Sequence, residues 1–173
     1  YLPPDYHTSD KSYPVIYLQD GGMLFNPDSD RDVFYDETLD QLFHAGAIDG
    51  VIAVGIAASS SYRWDEYSPW VNSTLHLWVN NWDRGGGEGS NYLDFIVDTL
   101  KPHIDSNYRT LPDRENTGIG GFSMGGLISV YAGLSRPEVF SKVMATSPAV
   151  WFAEIYGKWL SNNQLLNYIA SID

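Results

Sequence analysis

The chain has 173 residues, 43% of them hydrophobic and 14% aromatic, enough to bury one substantial core and most simply organised as a single domain over residues 1–173. A formal net charge of −12 repels phosphate backbones and anionic lipid surfaces, which argues against nucleic acid and membrane partners. With no cysteine there is neither a disulfide nor a thiolate metal site; the acidic charge and the lack of any run of 18 or more apolar residues lead to the expectation of a soluble protein, while Tyr1-Leu2-Pro3-Pro4 lacks the basic and apolar regions of a leader, which would have been removed, and the compartment stays open.

In chain order, Tyr13 to Leu18 is a β-branched and aromatic run that reads as a buried strand, and Gln19-Asp20-Gly21-Gly22-Met23 follows it as a loop. Glycine lets the backbone of such a loop approach a ligand closely, so Gly22 is a candidate for presenting its N–H to a substrate; the competing reading is an ordinary Asp-Gly turn. Val33 to Ala47 carries Phe34, Leu39, Leu42 and Phe43 among carboxylates, a helical pattern. Val51 to Ile56 is almost continuously apolar, as a strand covered on both faces would be.

The segment from Ala57 to Ser90 is long and aromatic for a connector, holding Arg63-Trp64-Asp65-Glu66-Tyr67-Ser68-Pro69-Trp70 and then Trp78 and Trp82. It is the expected seat of substrate specificity, with Tyr67 and Trp70 as candidate pocket residues; the alternative is that the rings form a small core beneath the loop. Gly85-Gly86-Gly87 has the composition of a flexible hinge, and a phosphate cradle is not expected there, since no lysine follows as a P-loop requires. Tyr92, Phe95, Ile96, Leu100 and Ile104 recur at helical spacing, and Phe140 to Ala145 is a further strand. Trp151 follows that strand's end and is a third candidate pocket residue. The alternation of strands and helices predicts a mostly parallel sheet with helices on both faces, whose ligands collect outside the carboxyl ends of the strands.

The most informative stretch is Gly118-Ile119-Gly120-Gly121-Phe122-Ser123-Met124-Gly125-Gly126. It places Gly-x-Ser-x-Gly between a small, apolar strand and a helix with Leu127, Ile128, Tyr131 and Leu134 on one stripe. A serine hydroxyl is a poor nucleophile, and a sharp strand-to-helix turn holds it where a base and a carbonyl carbon both reach it. Gly121 and Gly125 fit because neither brings a Cβ into the turn. The same turn aims the Met124 N–H, at the helix start, toward the oxygen of a tetrahedral intermediate. These residues predict an acyl-transfer enzyme with Ser123 as nucleophile; the competing reading is a glycine-rich packing turn.

Taken together, Tyr1-Leu2-Pro3-Pro4-Asp5-Tyr6, Pro14 to Gly21, Glu66-Tyr67-Ser68-Pro69 and the run from Tyr92 through Tyr108-Arg109 to Gly126 resemble the group of α/β-hydrolases that includes esterase D, feruloyl and acetylxylan esterases and enterobactin-type siderophore esterases. The resemblance spans residues 1 to about 152 and implies an α/β-hydrolase fold. It also implies ester hydrolysis through a Ser, Asp/Glu, His triad in that chain order, with no cofactor. Met124 and a residue of the Asp20-Gly21-Gly22 loop would supply the oxyanion N–H groups. Its substrate would be a small-molecule ester such as an acylated sugar or an aromatic acyl ester.

The chain departs from that pattern in its histidines. His7, His44, His76 and His103 all precede Ser123, whereas the group places its base well after the serine. Asp173 stands near where the acid-bearing strand would begin, and it is not assigned as the acid. The expectation is therefore a piece of a larger hydrolase cut at both ends, with little or no turnover alone and an exposed sheet edge that pairs with the continuation or another copy. The alternative is an inactive homologue that acts as a carbohydrate- or partner-binding module.

Overall fold

The structure, a computed structural model, describes residues 1–25, 33–59, 61–73, 85–153 and 163–172. Four strands form its sheet: β1 (Val15–Gln19), β2 (Ile52–Ile56), β3 (Thr117–Phe122) and β4 (Lys142–Thr146), in the order β2-β1-β3-β4. Every pairing is parallel, with Val15 opposite both Ile52 and Thr117, and Phe122 opposite Thr146.

Side chains alternate across this sheet as the period of two demands. Val15, Tyr17, Ile52, Ile56 and Ile119 share the larger core with Leu93, Ile96, Leu127 and Ile128. Leu18 and Ala53 point the other way and join Leu39, with Ile16 and Val51 packed alongside. Helix α1 (Tyr35–His44), which carries Leu39, thus covers one face. The other face takes α3 (Gly89–Phe95), α4 (Lys101–Asn107) and α5 (Met124–Ser135). Helices α3 and α4 are joined through a π-helical turn, Ile96–Leu100, whose flanking residues keep right-handed helical dihedrals, so residues 89–107 run as one helix. A short α2 (Arg63–Glu66) lies after β2, and α6 (Gln164–Ile169) comes last.

The expected strands and helices are present with shifted ends. Tyr13 lies outside β1, making an isolated bridge with Thr110 instead. The helix expected over 33–47 is shorter, because Phe34 adopts a left-handed conformation at φ 51° and cannot continue it. Gly86 and Gly87 have φ of 87° and 104°, the backbone of a tight turn rather than a hinge. Strand β4 is an edge of the sheet among the described residues, with Val143 and Met144 exposed. Trp78, Trp82, His76 and Asp173 lie outside the described residues.

The topology fixes where a site can be. From β1 the chain moves outward to β2, then returns past β1 to β3 and continues to β4. The direction of winding therefore reverses between β1 and β3, and the loops leaving those two strands diverge and leave a crevice.

Candidate active site

Three strand ends meet at that crevice under backbone strain. β1 hands over to Asp20 at φ 58°, β3 to Ser123 at φ 56° and β4 to Ser147 at φ 43°; these are three of the four non-glycine residues of positive φ among the described residues. Ser123 combines its φ with ψ −117°, outside the populated wells for a side chain-bearing residue, at a cost of about 1–3 kcal/mol. Its neighbours hold it there. The Ser123 N–H donates to the Thr146 carbonyl at 3.1 Å, and its carbonyl accepts from Leu127 and Ala149 at 3.0 and 2.9 Å.

The glycines around it are required by space. A Cβ on Gly121 would lie 2.7 Å from the Gly125 carbonyl carbon and 2.9 Å from Gln19 Cβ, and one on Gly125 would lie 2.8 Å from Gln19 Cβ. Strand β3, helix α5 and the end of β1 are thus in backbone-close contact at the serine turn. Met124 is the first residue of α5, so its N–H belongs to the set that has no partner within the helix, at the helix's positive end.

On the β1 side, Gly21–Met23 forms one 3₁₀ turn. Its bonds run from the Met23 N–H to the Asp20 carbonyl at 2.9 Å and from the Leu24 N–H to the Gly21 carbonyl at 3.2 Å. The N–H groups of Gly21 and Gly22 stay outside this bonding. Gly22 is exposed and a Cβ there would meet nothing within 4 Å, whereas Gly21 rests directly on the backbone of Gly55.

A buried polar network lies beneath this loop. Arg63 donates through Nε to Asp20 Oδ1 at 2.7 Å and through Nη2 to Oδ2 at 2.9 Å. The Asp20 N–H donates to the Tyr67 hydroxyl at 3.0 Å. The guanidinium also lies 5.0 Å from the centre of the Tyr67 ring, and its pairing with Asp20 raises its pKa further. Tyr92 donates to Gln19 Oε1 at 2.5 Å, while the buried Gln19 Nε2 has no partner among the described residues. Burial, with the Asp20 charge as a lesser cause, pushes Tyr67 up to about 12. Burial raises Tyr92 as well. Both phenols are therefore neutral hydrogen-bonding groups at physiological pH.

The three candidate pocket residues separate. Tyr67 is 0% exposed; the structure places it under the loop as a support, not on a surface. Trp70 packs edge-on against Tyr131 and Tyr168, ring centres 5.5 and 6.1 Å away, against the main core and not in a separate small one beneath the loop. Trp151 is 48% exposed and sits in the turn after β4, beside Trp64, which stacks on Phe152 at 5.7 Å. A cavity of about 470 Å³ opens by the carboxyl end of β2, lined by Ile56, Tyr62, Glu66, Tyr92 and Phe95 among others. Burial, and then the charge of Asp65, raises the Glu66 carboxyl within it.

None of the described histidines faces Ser123. His7 packs on Tyr6, His44 bonds the Asp40 carbonyl through Nδ1 at 2.7 Å, and His103 meets Asn107 on α4. Arg63, Gln19 and Tyr92 escaped sequence reasoning. Arg63 stands 43 residues from Asp20, and only its place as a lone cation ahead of Asp65-Glu66 hinted at a partner elsewhere.

A parallel sheet with helices on both faces and a strained serine between β3 and α5, at the reversal of strand order, defines an α/β-hydrolase-type protein. The family described as "Putative esterase" matches residues 1–173, and the chain belongs to it. YbbA of Bacillus subtilis is 32% identical over 152 residues, covering 88% of this chain and 56% of that protein. The ferri-bacillibactin esterase BesA of the same organism is 31% identical over 147 residues, 80% of this chain and 48% of BesA. Among solved structures, an IroE-like serine hydrolase from Shewanella oneidensis superposes with a TM-score of 0.70 at 30% identity, over 88% of this chain and 46% of its own. The chain spans about half the length of the curated relatives it matches.

Proposed function

We propose that the protein is a serine carboxylic-ester hydrolase acting through an acyl-enzyme on Ser123. The observation that carries this reading is the Ser123 backbone, at φ 56° and ψ −117° between a buried parallel strand and α5, a conformation whose strain has a purpose if the hydroxyl must stand clear of both elements. Ser123 Oγ attacks an ester carbonyl carbon while its proton passes to a histidine base contributed from outside these 173 residues. The carbonyl oxygen becomes an oxyanion held by the N–H groups of Met124 and Gly22. The alcohol leaves with the proton returned by the base, and water then attacks the acyl-enzyme, releasing the acid and restoring the hydroxyl.

The substrate is a small-molecule ester. BesA is by its name a ferri-bacillibactin esterase, and an aromatic acyl ester suits the exposed Trp151 ring with Trp64 beside it. Treating the full-length protein with an active-site fluorophosphonate tests the reading: covalent labelling is expected at Ser123 and is lost in Ser123→Ala. An unlabelled Ser123 refutes the hydrolase and leaves a carbohydrate- or partner-binding module with a vestigial turn.

A further inference from the structure

We infer that Arg63 and Asp20 form a positioning pair for the oxyanion loop, an inference that rests on the serine mechanism above. Asp20 is the residue on which that loop turns: it is 9% exposed and left-handed at φ 58°, and the 3₁₀ turn bearing Gly22 starts from its carbonyl. Its side chain and main chain are each held by a different residue of the segment after β2. The carboxylate takes the two-pronged Arg63 bond, and the N–H takes the Tyr67 hydroxyl.

The pair also reaches the nucleophile's helix, since Asp20 Oδ2 lies 3.3 Å from the place a Cβ on Gly125 would occupy. A bare carboxylate beside the first turn of α5 would oppose the negative charge that develops on the oxyanion. Arg63 cancels that charge and fixes the loop's height over Ser123. Both effects act in the transition state, so disturbing the pair lowers turnover and leaves substrate affinity little changed. A displacement of about 1 Å in such a donor costs on the order of a hundredfold in rate.

The test uses p-nitrophenyl acetate and the full-length protein, with thermal midpoints measured alongside and assays run well below them. Asp20→Asn keeps the shape and removes the charge; Arg63→Lys keeps the charge and removes the fork. Each is expected to lower the acylation burst rate and kcat by about tenfold to a hundredfold with KM within about twofold. The double variant is expected to lose no more than the worse single one, because the two residues act as a unit. A kcat within about twofold of the parent in both single variants, whether or not the thermal midpoint falls, overturns the positioning role while Ser123→Ala still abolishes turnover. Turnover that survives Ser123→Ala overturns the serine mechanism itself.

Discussion

Adding one methyl group at Gly121 probes the serine turn more sharply than removing the hydroxyl, because it leaves all the chemistry in place. The Cβ of Gly121→Ala would sit 2.7 and 2.8 Å from the Gly125 carbonyl carbon and oxygen, and 2.9 Å from Gln19 Cβ. Ordinary carbon contacts lie at about 3.5–4.0 Å, so the start of α5 must move away by several tenths of an ångström to about 1 Å. None of the three atoms is the free end of a flexible side chain, so the strain falls on the backbone. Overpacking of this kind costs about 1–3 kcal/mol, which for a domain of this size lowers the melting temperature by about 2–4 °C per kcal/mol. The same movement shifts the Met124 N–H relative to Ser123, with an expected loss in kcat on the order of a hundredfold. Gly118→Ala, in the same strand, is the control: its Cβ would find its nearest atoms at 3.5, 3.6 and 3.7 Å, ordinary contact, and stability should hold or rise by about 0.5 kcal/mol. Thermal melts and p-nitrophenyl acetate kinetics on the full-length protein read both. Equal behaviour of the two variants would refute the claim that close backbone approach at Gly121 sets the geometry of the turn.

Ser123→Gly should abolish turnover yet raise the unfolding free energy by about 1 kcal/mol or more, since glycine carries no penalty at φ 56°; chemical denaturation measures it, and a loss of stability would show the backbone unstrained. Tyr67 titrates at about 12 in the fold against about 10 unfolded, so the folded state holds its proton longer. That contribution is complete below pH 10 and fades as pH rises toward 12; urea midpoints of Tyr67→Phe between about pH 9 and 11 should fall less steeply than the parent's. At neutral pH the same variant, having lost the bond to the Asp20 N–H, should be less stable by about 1 kcal/mol. Trp151→Ala should raise KM several-fold for an aromatic acyl ester and leave that for the acetate ester within about twofold, and equal changes for both would remove Trp151 from the acyl pocket.

What could be read from the residues alone was whatever depends on neighbours in sequence. Val51 to Ile56 declares a covered strand because its apolar run is local, and Gly121-x-Ser123-x-Gly125 declares the turn because its three constraints lie within five residues. The polar support was hidden because its parts come from separate elements: Asp20 follows β1, Arg63 and Tyr67 follow β2, and Tyr92 opens the long helix. Tyr67 and Trp70 share one aromatic stretch whose composition suits a ligand pocket as well as a packed core; the burial of Tyr67 and the ring contacts of Trp70 put both in packing. The start of β1 moved for a similar reason, as Tyr13 makes its lone bridge to Thr110, a residue far along the chain.

The residues of strained backbone at positions 20, 123 and 147 share no local segment, so no short fragment of the chain can assemble all three conformations in isolation. Parallel pairing of distant strands is slow to form, and only once β1, β3 and β4 lie side by side are those three conformations imposed at all. On the proposed mechanism, nascent and partly unfolded chains therefore lack the serine geometry on which acylation depends.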